Sequence, residues 1–446
     1  MARAAAMTTL CAGAVYGASQ AFVAPRAATG AASPGLRGSV ESAAELSQQT
    51  AASGNGVQMQ AGVTMTGIFA LAAAGAARRN RRAGAVKQQC REQRVQLAAR
   101  GGAVAKKKVL VMGGTRFIGC YLVAELRKQG HDVFILNRGK KNGGKPEALP
   151  GMSTAEYDEM MKGVTVLIAD RGDPESVKKA VTGAGKFDVV FDNNARKLVD
   201  VEPLVEAIQA TGGCEQFIFM SSAGVYGPTD VLPLNEETPG DPKSRHAAKL
   251  SCEELLAQKG FNWTSIRPVY IYGPLNYNPV ERFFFDRVAR GRPIPIPYGG
   301  KYITQLGHCE DLADFMVKCI GNAKVNGQCY NISGPDYITY DGMAKLCAEA
   351  AGKPAPQIVH YDAKIAKDIP DGFPKAFPFR GMHFFANIKK AKQDVPNWSP
   401  KFNLLDGLKS SYATDYVARG FDKKKVDYRT DDCILEYVAA KAAEKK

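Results

Sequence analysis

The chain has 446 residues, 45% hydrophobic and 23% charged, a balance that suits a soluble globular protein and allows one large domain or two smaller ones. Its formal net charge of +15 is unevenly spread: residues 1–104 carry 11 Lys/Arg against three acids, and residues 105–446 carry 48 against 41. That remainder fits phosphate-bearing partners but excludes a dedicated polycation. The ten cysteines show no C-x-x-C and no paired Cys/His spacing, so no clustered zinc or other metal site is expected and they read as reduced, mostly buried thiols.

Residues 1–104 are rich in Ala, Gly, Ser and Thr, with Glu41, Glu45 and Glu92 as their acids. Such a composition cannot bury a core and reads as an organelle-targeting segment. Arg3 precedes an apolar stretch, Met7 to Val23, and Phe22-Val23-Ala24-Pro25 follows. A second apolar run, Ala61 to Ala77, ends in Arg78-Arg79-Asn80-Arg81-Arg82. It is short for a membrane span but fits a stop-transfer element. The order resembles the multipart presequences of algae with secondary plastids. That resemblance implies delivery to the plastid stroma, removal of the leader and no membrane span in the mature protein. The plain alternative is a disordered tail with accidental Ala runs.

From Lys106 short apolar runs alternate with helical periodicity. Strands are predicted at Val109–Met112, Val133–Leu136, Val164–Ile168, Val189–Phe191, Phe217–Met220 and Trp263–Arg267. Amphipathic stretches lie between them at Tyr121–Gln129, Pro174–Val181, Glu202–Ala210 and Ala247–Gln258. The alternation predicts βαβ units, a parallel sheet and right-handed crossovers. Beyond residue 274 the pattern turns irregular and Pro-rich, as in Arg292-Pro-Ile-Pro-Ile-Pro297, which suits a loop-rich lobe. The expected organisation is a leader over 1–104, a nucleotide-binding core over 105–275, a C-terminal substrate lobe over 276–435 and a Lys/Ala-rich tail over 436–446.

The first strand runs into Gly113-Gly114-Thr115-Arg116-Phe117-Ile118-Gly119, and a helix opens at Cys120 and Tyr121. Glycines at a strand-to-helix turn let the backbone approach a pyrophosphate seated on the helix N-terminus. A lone glycine motif is weak, but here it follows a strand, opens a helix and begins a βαβ series. The fold class is therefore α/β: a Rossmann-type, doubly wound parallel sheet with a smaller C-terminal substrate lobe. The middle glycine of the usual spacing would fall at position 116, which is Arg. Its guanidinium either points away from the phosphates or binds them bidentately.

The second strand ends in Leu136-Asn137-Arg138-Gly139-Lys140-Lys141. An NAD-specific site would place an acid near 137 to bond the ribose 2′-hydroxyl. Asn and a basic run there favour the 2′-phosphate of NADP or another polyphosphate, the bland alternative being a solvated basic turn.

Two further segments follow apolar strands: Ser221-Ser222-Ala223-Gly224-Val225-Tyr226-Gly227 and Arg267-Pro-Val-Tyr-Ile-Tyr-Gly-Pro274. With the glycine turn they resemble the extended short-chain dehydrogenases/reductases, the NAD-dependent epimerase/dehydratase family. That resemblance implies dinucleotide contacts from the 113–119 turn, Asn137 and Arg138, an adenine contact from Asp170, and a catalytic serine at Ser222. Trp398-Ser399-Pro400, with Leu404 to Leu408, matches the closing segment of that family. The family's Tyr-x-x-x-Lys falls on Arg245-His246-Ala247-Ala248-Lys249. Lys249 is in place, and an i, i+4 spacing would put Arg245 on the same helical face. Arginine cannot act as an acid and base at neutral pH, so the usual hydroxyl oxidation is broken. His246 either supplies the proton from about 100° round the helix or serves as a surface or nucleotide contact.

Several segments go beyond the generic fold: Met112-Gly-Gly-Thr-Arg-Phe-Ile-Gly119, Asp241-Pro-Lys-Ser-Arg-His246, the run from Trp263 to Pro279, and Phe377–Phe385 opening on Phe377-Pro-Phe-Arg380. Over residues 106–435 they resemble the chloroplast stem-loop-binding proteins of the b-type. Arg116 and Arg245 both belong to that group's pattern. The resemblance implies binding of RNA stem-loops, association with plastid ribosome or transcription complexes and with related paralogues as homo- or hetero-oligomers, support of transcript stability and rRNA processing, and Mg2+-assisted endoribonuclease cleavage. From the residues themselves, a groove edged by Arg116, Arg138, Lys140 and Lys141 could hold RNA phosphates. Tyr270, Tyr272 and Tyr277 either stack bases or pack the lobe, and Lys423–Lys425 reads as a solvated patch. No acidic cluster has magnesium spacing, and the histidines are His131, His246, His308, His360 and His383, so no nuclease site is assigned. The rival expectation is an NADP-dependent nucleotide-sugar epimerase, dehydratase or reductase built on Ser222 and Lys249. A third is a structural component of a plastid nucleoprotein complex.

Overall fold

The computed structural model describes residues 105–444, so the leader expected over 1–104 lies outside the described residues. The first half runs β1 (Lys108–Met112), α1 (Ile118–Lys128), β2 (Asp132–Asn137), α2 (Thr154–Met161), β3 (Val164–Ile168), α3 (Pro174–Ala184), β4 (Val189–Asp192), α4 (Leu198–Ala210), β5 (Gln216–Met220), α5 (Ala248–Gln258) and β6 (Trp263–Pro268). Each expected strand lies within a residue of its expected bounds. β4 and β5 are buried along their whole length, which is why they read as continuous apolar runs rather than alternating ones. The helix starts are equally local. Asp173 accepts the Ser176 amide, with Pro174 in the first helical position. Ser153 and Glu156 form a reciprocal capping box on α2.

The second half supplies β7 (Tyr270–Tyr272), α6 (Arg282–Val288), β8 (Ile294–Pro297), β9 (Ile303–His308), α7 (Cys309–Lys318), β10 (Gln328–Ile332), β11 (Tyr337–Thr339), α8 (Tyr340–Ala350), β12 (Ile358–Tyr361), α9 (Lys389–Asp394), α10 (Leu404–Ser411) and α11 (Arg429–Ala443). The main sheet has seven strands in the order β10-β6-β5-β4-β1-β2-β3, all parallel. Its order reverses between β1 and β4, which opens a crevice at their carboxyl ends where such sheets take ligands.

The chain crosses back over the boundary expected at 275. α7 lies on α1, and one core cluster joins Leu122, Val123 and Leu126 of α1 to Leu312, Phe315 and Met316 of α7. β10 then pairs with β6, Tyr330 opposite Ile266. The lobe proper holds the β11-β9-β7 sheet, the β8–β12 pair and an aromatic core that includes Phe284, Phe285, Tyr340, Phe377 and Phe379. The Lys/Ala-rich stretch expected as a tail from 436 is helical through Ala443, as part of α11. Among the described residues no helix is long and apolar enough to cross a membrane.

Candidate functional site

The glycine turn fills the crevice mouth. Gly113 has φ +83°, which only glycine adopts without strain. At Gly119 an added methyl would overlap the Gly113 carbonyl oxygen, so the third glycine is required for α1 to start this close to β1. No side chain caps the first turn of α1 and no acid lies in it, leaving its amides and the positive end of the helix facing the groove. Arg116 is exposed at the lip. The groove encloses about 680 Å3. It is lined by Gly113, Thr115, Arg116, Phe117, Ile118 and Gly119 on one side, and by Asn137, Arg138, Lys140, Lys141 and Asp170 on the other. All of the sequence-derived dinucleotide residues except the buried Gly114, which packs on Ile135, therefore border one cavity.

Two of them are already engaged. The Asn137 side chain donates to the Gly144 carbonyl at 2.9 Å and accepts the Gly139 amide at 2.8 Å, so it shapes the 139–144 loop. Asp170 accepts the Gly172 amide at 3.0 Å.

The floor came unannounced by the sequence. Asp192, fully buried at the end of β4, takes Arg171 in a two-bond pair at 2.7 and 3.0 Å, and its Oδ1 also accepts the Asn194 and Ala195 amides. Asn193 lines the groove with both of its buried side-chain polar atoms lacking a protein partner. Arg196 and the exposed Tyr277, edge-on to Phe117 at 6.3 Å, complete the lining. Residues just past a strand in a parallel sheet point into its crevice, and that rule would have found Asn193, Asn194 and Arg196. The amide-lined turn and the unsatisfied Asn193 fit a dinucleotide.

The expected catalytic set is not brought together as one helical face. Residues 244–250 form successive turns, with Ala247, Lys249 and Leu250 amides donating three residues back to Ser244, His246 and Ala247. α5 begins only at Ala248, so Arg245 precedes the helix rather than riding on it beside Lys249. Its Nε donates to His246 Nε2 at 3.0 Å, and its side chain faces a second pocket. Lys249 points under the sheet end and donates to the Met220 and Ala195 carbonyls at 2.6 and 3.0 Å. Burial pulls its ammonium down to about 8. His246 is pushed down to about 4, first by burial and then by Arg245, Arg380, Lys249 and Arg196. It is neutral at pH 7, with its Nε2 lone pair occupied by a guanidinium, which removes it as a free base. Ser222 Oγ accepts the Gly224 amide at 3.0 Å. Among the described residues no three His, Cys, Asp or Glu side chains converge to hold a metal ion.

A model of the NAD dependent epimerase/dehydratase family matches residues 109–333. The chain is 50% identical to the chloroplast stem-loop binding protein of 41 kDa b of Arabidopsis thaliana, over 75% of this chain and 85% of that one. A UDP-glucose 4-epimerase of Corynebacterium glutamicum is 28% identical, over 67% of this chain and 92% of that one. Among solved structures, the Thermotoga maritima UDP-glucose 4-epimerase with UDP-glucose matches at a TM-score of 0.56 and 21% identity, covering 70% of this chain and 99% of that one. The Thermus thermophilus UDP-glucose 4-epimerase complex with NAD matches at 0.53 and 22%, covering 68% and 97%. These two structures show the shared fold.

Proposed function

From a chain that belongs to the NAD dependent epimerase/dehydratase family, and within it to the group of the chloroplast stem-loop binding proteins, we propose a plastid RNA-binding protein that holds stem-loop RNA in its dinucleotide groove. The compartment is the plastid, as for the chloroplastic relative. The observation that carries the reading is the charge of the groove. Arg171 and Asp192 neutralise each other, whereas Arg116, Arg138, Lys140, Lys141 and Arg196 face the cavity without an acidic partner among the described residues. Asp170 and Asp200, also in the lining, offset part of that excess. Such a row neutralises successive phosphates, and Tyr277 at its edge offers a face for an unstacked base. The same cations suit the 2′-phosphate of NADP, so NADP and RNA are competing ligands on this reading. Cleavage of the bound RNA with Mg2+, rRNA processing, and assembly with plastid ribosome or transcription complexes and related paralogues extend it.

The test is a salt titration of stem-loop RNA binding, with and without NADP. Wild type should bind with a steep salt slope and be displaced by NADP. Reversing Arg138, Lys140 and Lys141 to Glu should weaken binding and flatten the slope by about 0.7 per lost phosphate contact. An unchanged slope removes this face from the RNA site. Product length with Mg2+ and with EDTA reads cleavage in the same samples.

The rival reading, an NADP-dependent nucleotide-sugar epimerase, dehydratase or reductase, draws on the Ser222 hydroxyl, Lys249 and the glycine turn. Under it Ser222→Ala abolishes nucleotide-sugar turnover and leaves RNA affinity unchanged. Under the RNA reading there is no turnover to lose.

A further inference from the structure

The seven-stranded sheet ends on β3, which pairs with β2 alone. Natural sheets blunt a free edge with charges, proline, a bulge or a covering segment. β3 reads Val-Thr-Val-Leu-Ile, without a charge or a proline, and its register with β2 runs unbroken, so it has no bulge. Ile168, at its end, is 58% exposed. We propose that the free edge of β3 pairs with β3 of a second copy of this chain, antiparallel about a two-fold axis through Val166, so that two sheets become one.

The ladder with β2 fixes which groups the edge offers. The Val133 amide donates to the Gly163 carbonyl, and the Ala169 amide to the Asn137 carbonyl. In a parallel pair with that register, Thr165 and Leu167 turn their backbone groups toward β2, and Val164, Val166 and Ile168 turn theirs outward. Among the described residues those outward groups bond no other segment. With the axis at Val166 they match one another. Val166 faces Val166, Val164 faces Ile168, and each such pair exchanges both of its amide–carbonyl bonds.

The side chains agree with that register. Residues directly opposite lie on the same face, so Val164 of one copy covers the exposed Ile168 of the other. The strand sets no like charges against each other. Just beyond its ends, the same two-fold brings Lys162 of one copy beside Asp170 of the other. Lys162 is exposed and pairs with Glu159 at 2.6 Å, and the Asp170 carboxylate accepts only the Gly172 amide among the described residues. An axis through Val164 or Ile168 would leave outward groups unpaired and part the two charges, which selects Val166. A foreign extended segment would also bond these amides, but a second copy supplies the apolar match and the ion pair at both ends. Asp170 lines the dinucleotide groove as well. On the groove reading proposed above, pairing adds a lysine at each groove mouth; the pairing itself does not rest on that reading.

Light scattering after size exclusion, on the purified chain without RNA, reads the mass at matched concentrations. Wild type should assemble in an even number of copies. Val166→Pro removes the amide at the axis, which an edge strand tolerates because that amide has no partner within the chain. It should halve the mass and keep a cooperative melt. Lys162→Glu sets two acids together at each end and should weaken association about tenfold. Adding Asp170→Lys should restore it, which a merely structural role for Lys162 would not do. Should Val166→Pro fail to fold, the Lys162→Glu variant and its restoration decide the matter. A wild type that stays a single chain, or a mass unchanged by every folded variant, overturns the proposal. Because RNA is absent throughout, failure of the groove reading leaves this result standing, and the reverse holds too.

Discussion

Glu281 is 2% exposed at the head of α6. One carboxyl oxygen accepts the Gly273 amide at 3.2 Å, and the other has no partner. An ionised carboxylate in that setting is costly, and burial pushes its pKa from 4.5 up to about 7. The folded protein thus keeps a proton that the unfolded chain loses above 4.5. The stability this contributes is complete below pH 4.5 and is lost as pH rises through 7. Gln at this position does not titrate. Glu281→Gln should therefore gain on wild type between pH 4.5 and 7.5, by up to roughly 3 kcal/mol if the whole shift is expressed. Paired urea melts at the two pH values measure it; a pH-independent difference would refute it. At this scale the sequence was legible where a residue's role is set by its neighbours in the chain, as for Gly113 and Gly119. It was illegible where tertiary partners decide. Asn137, expected at the ribose, is held by its own loop, and Arg171 takes its role from Asp192 on another strand.

At the scale of elements, β1, the glycine turn and α1 act as one unit whose clearance is set by Gly119. Gly119→Ala would force its methyl into the Gly113 carbonyl. The expected cost is about 1–3 kcal/mol of stability, with at least a tenfold loss of dinucleotide affinity as the turn shifts. Thermal melts and NADP titration check both, and unchanged NADP affinity would show that the turn does not carry the ligand. The strands were legible because β1, β4 and β5 are apolar on both faces and bounded by turns. The start of α5 was not. An i, i+4 reading presumes a helix already formed, and the i→i+3 bonds from Ser244 onward leave Arg245 in the turns ahead of α5.

At the scale of the molecule, the sheet is completed by a segment more than fifty residues beyond β6. β10 reads poorly as Gln-Cys-Tyr-Asn-Ile because its polar residues are satisfied at long range. Asn331, fully buried, accepts from Tyr226 Oη at 2.7 Å, and its amide donates to Glu236 at 2.8 Å. A fragment ending at 275 would bare the edge of β6 and uncover Leu122, Val123 and Leu126. Each of those side chains is worth about 1.5–3 kcal/mol when buried. The 105–275 fragment should show no cooperative thermal transition by circular dichroism; a sharp melt would establish it as an independent domain. Lys249 carries a different kind of consequence. Its ammonium joins the carbonyl of Met220, at the end of β5, to that of Ala195, just past β4, and so ties the tops of neighbouring strands together. Selection against losing it would act through folding whether or not the protein moves a hydride. A lysine at this position is accounted for by that tie alone, so its presence is not by itself a sign of dehydrogenase activity: here it works as a rivet.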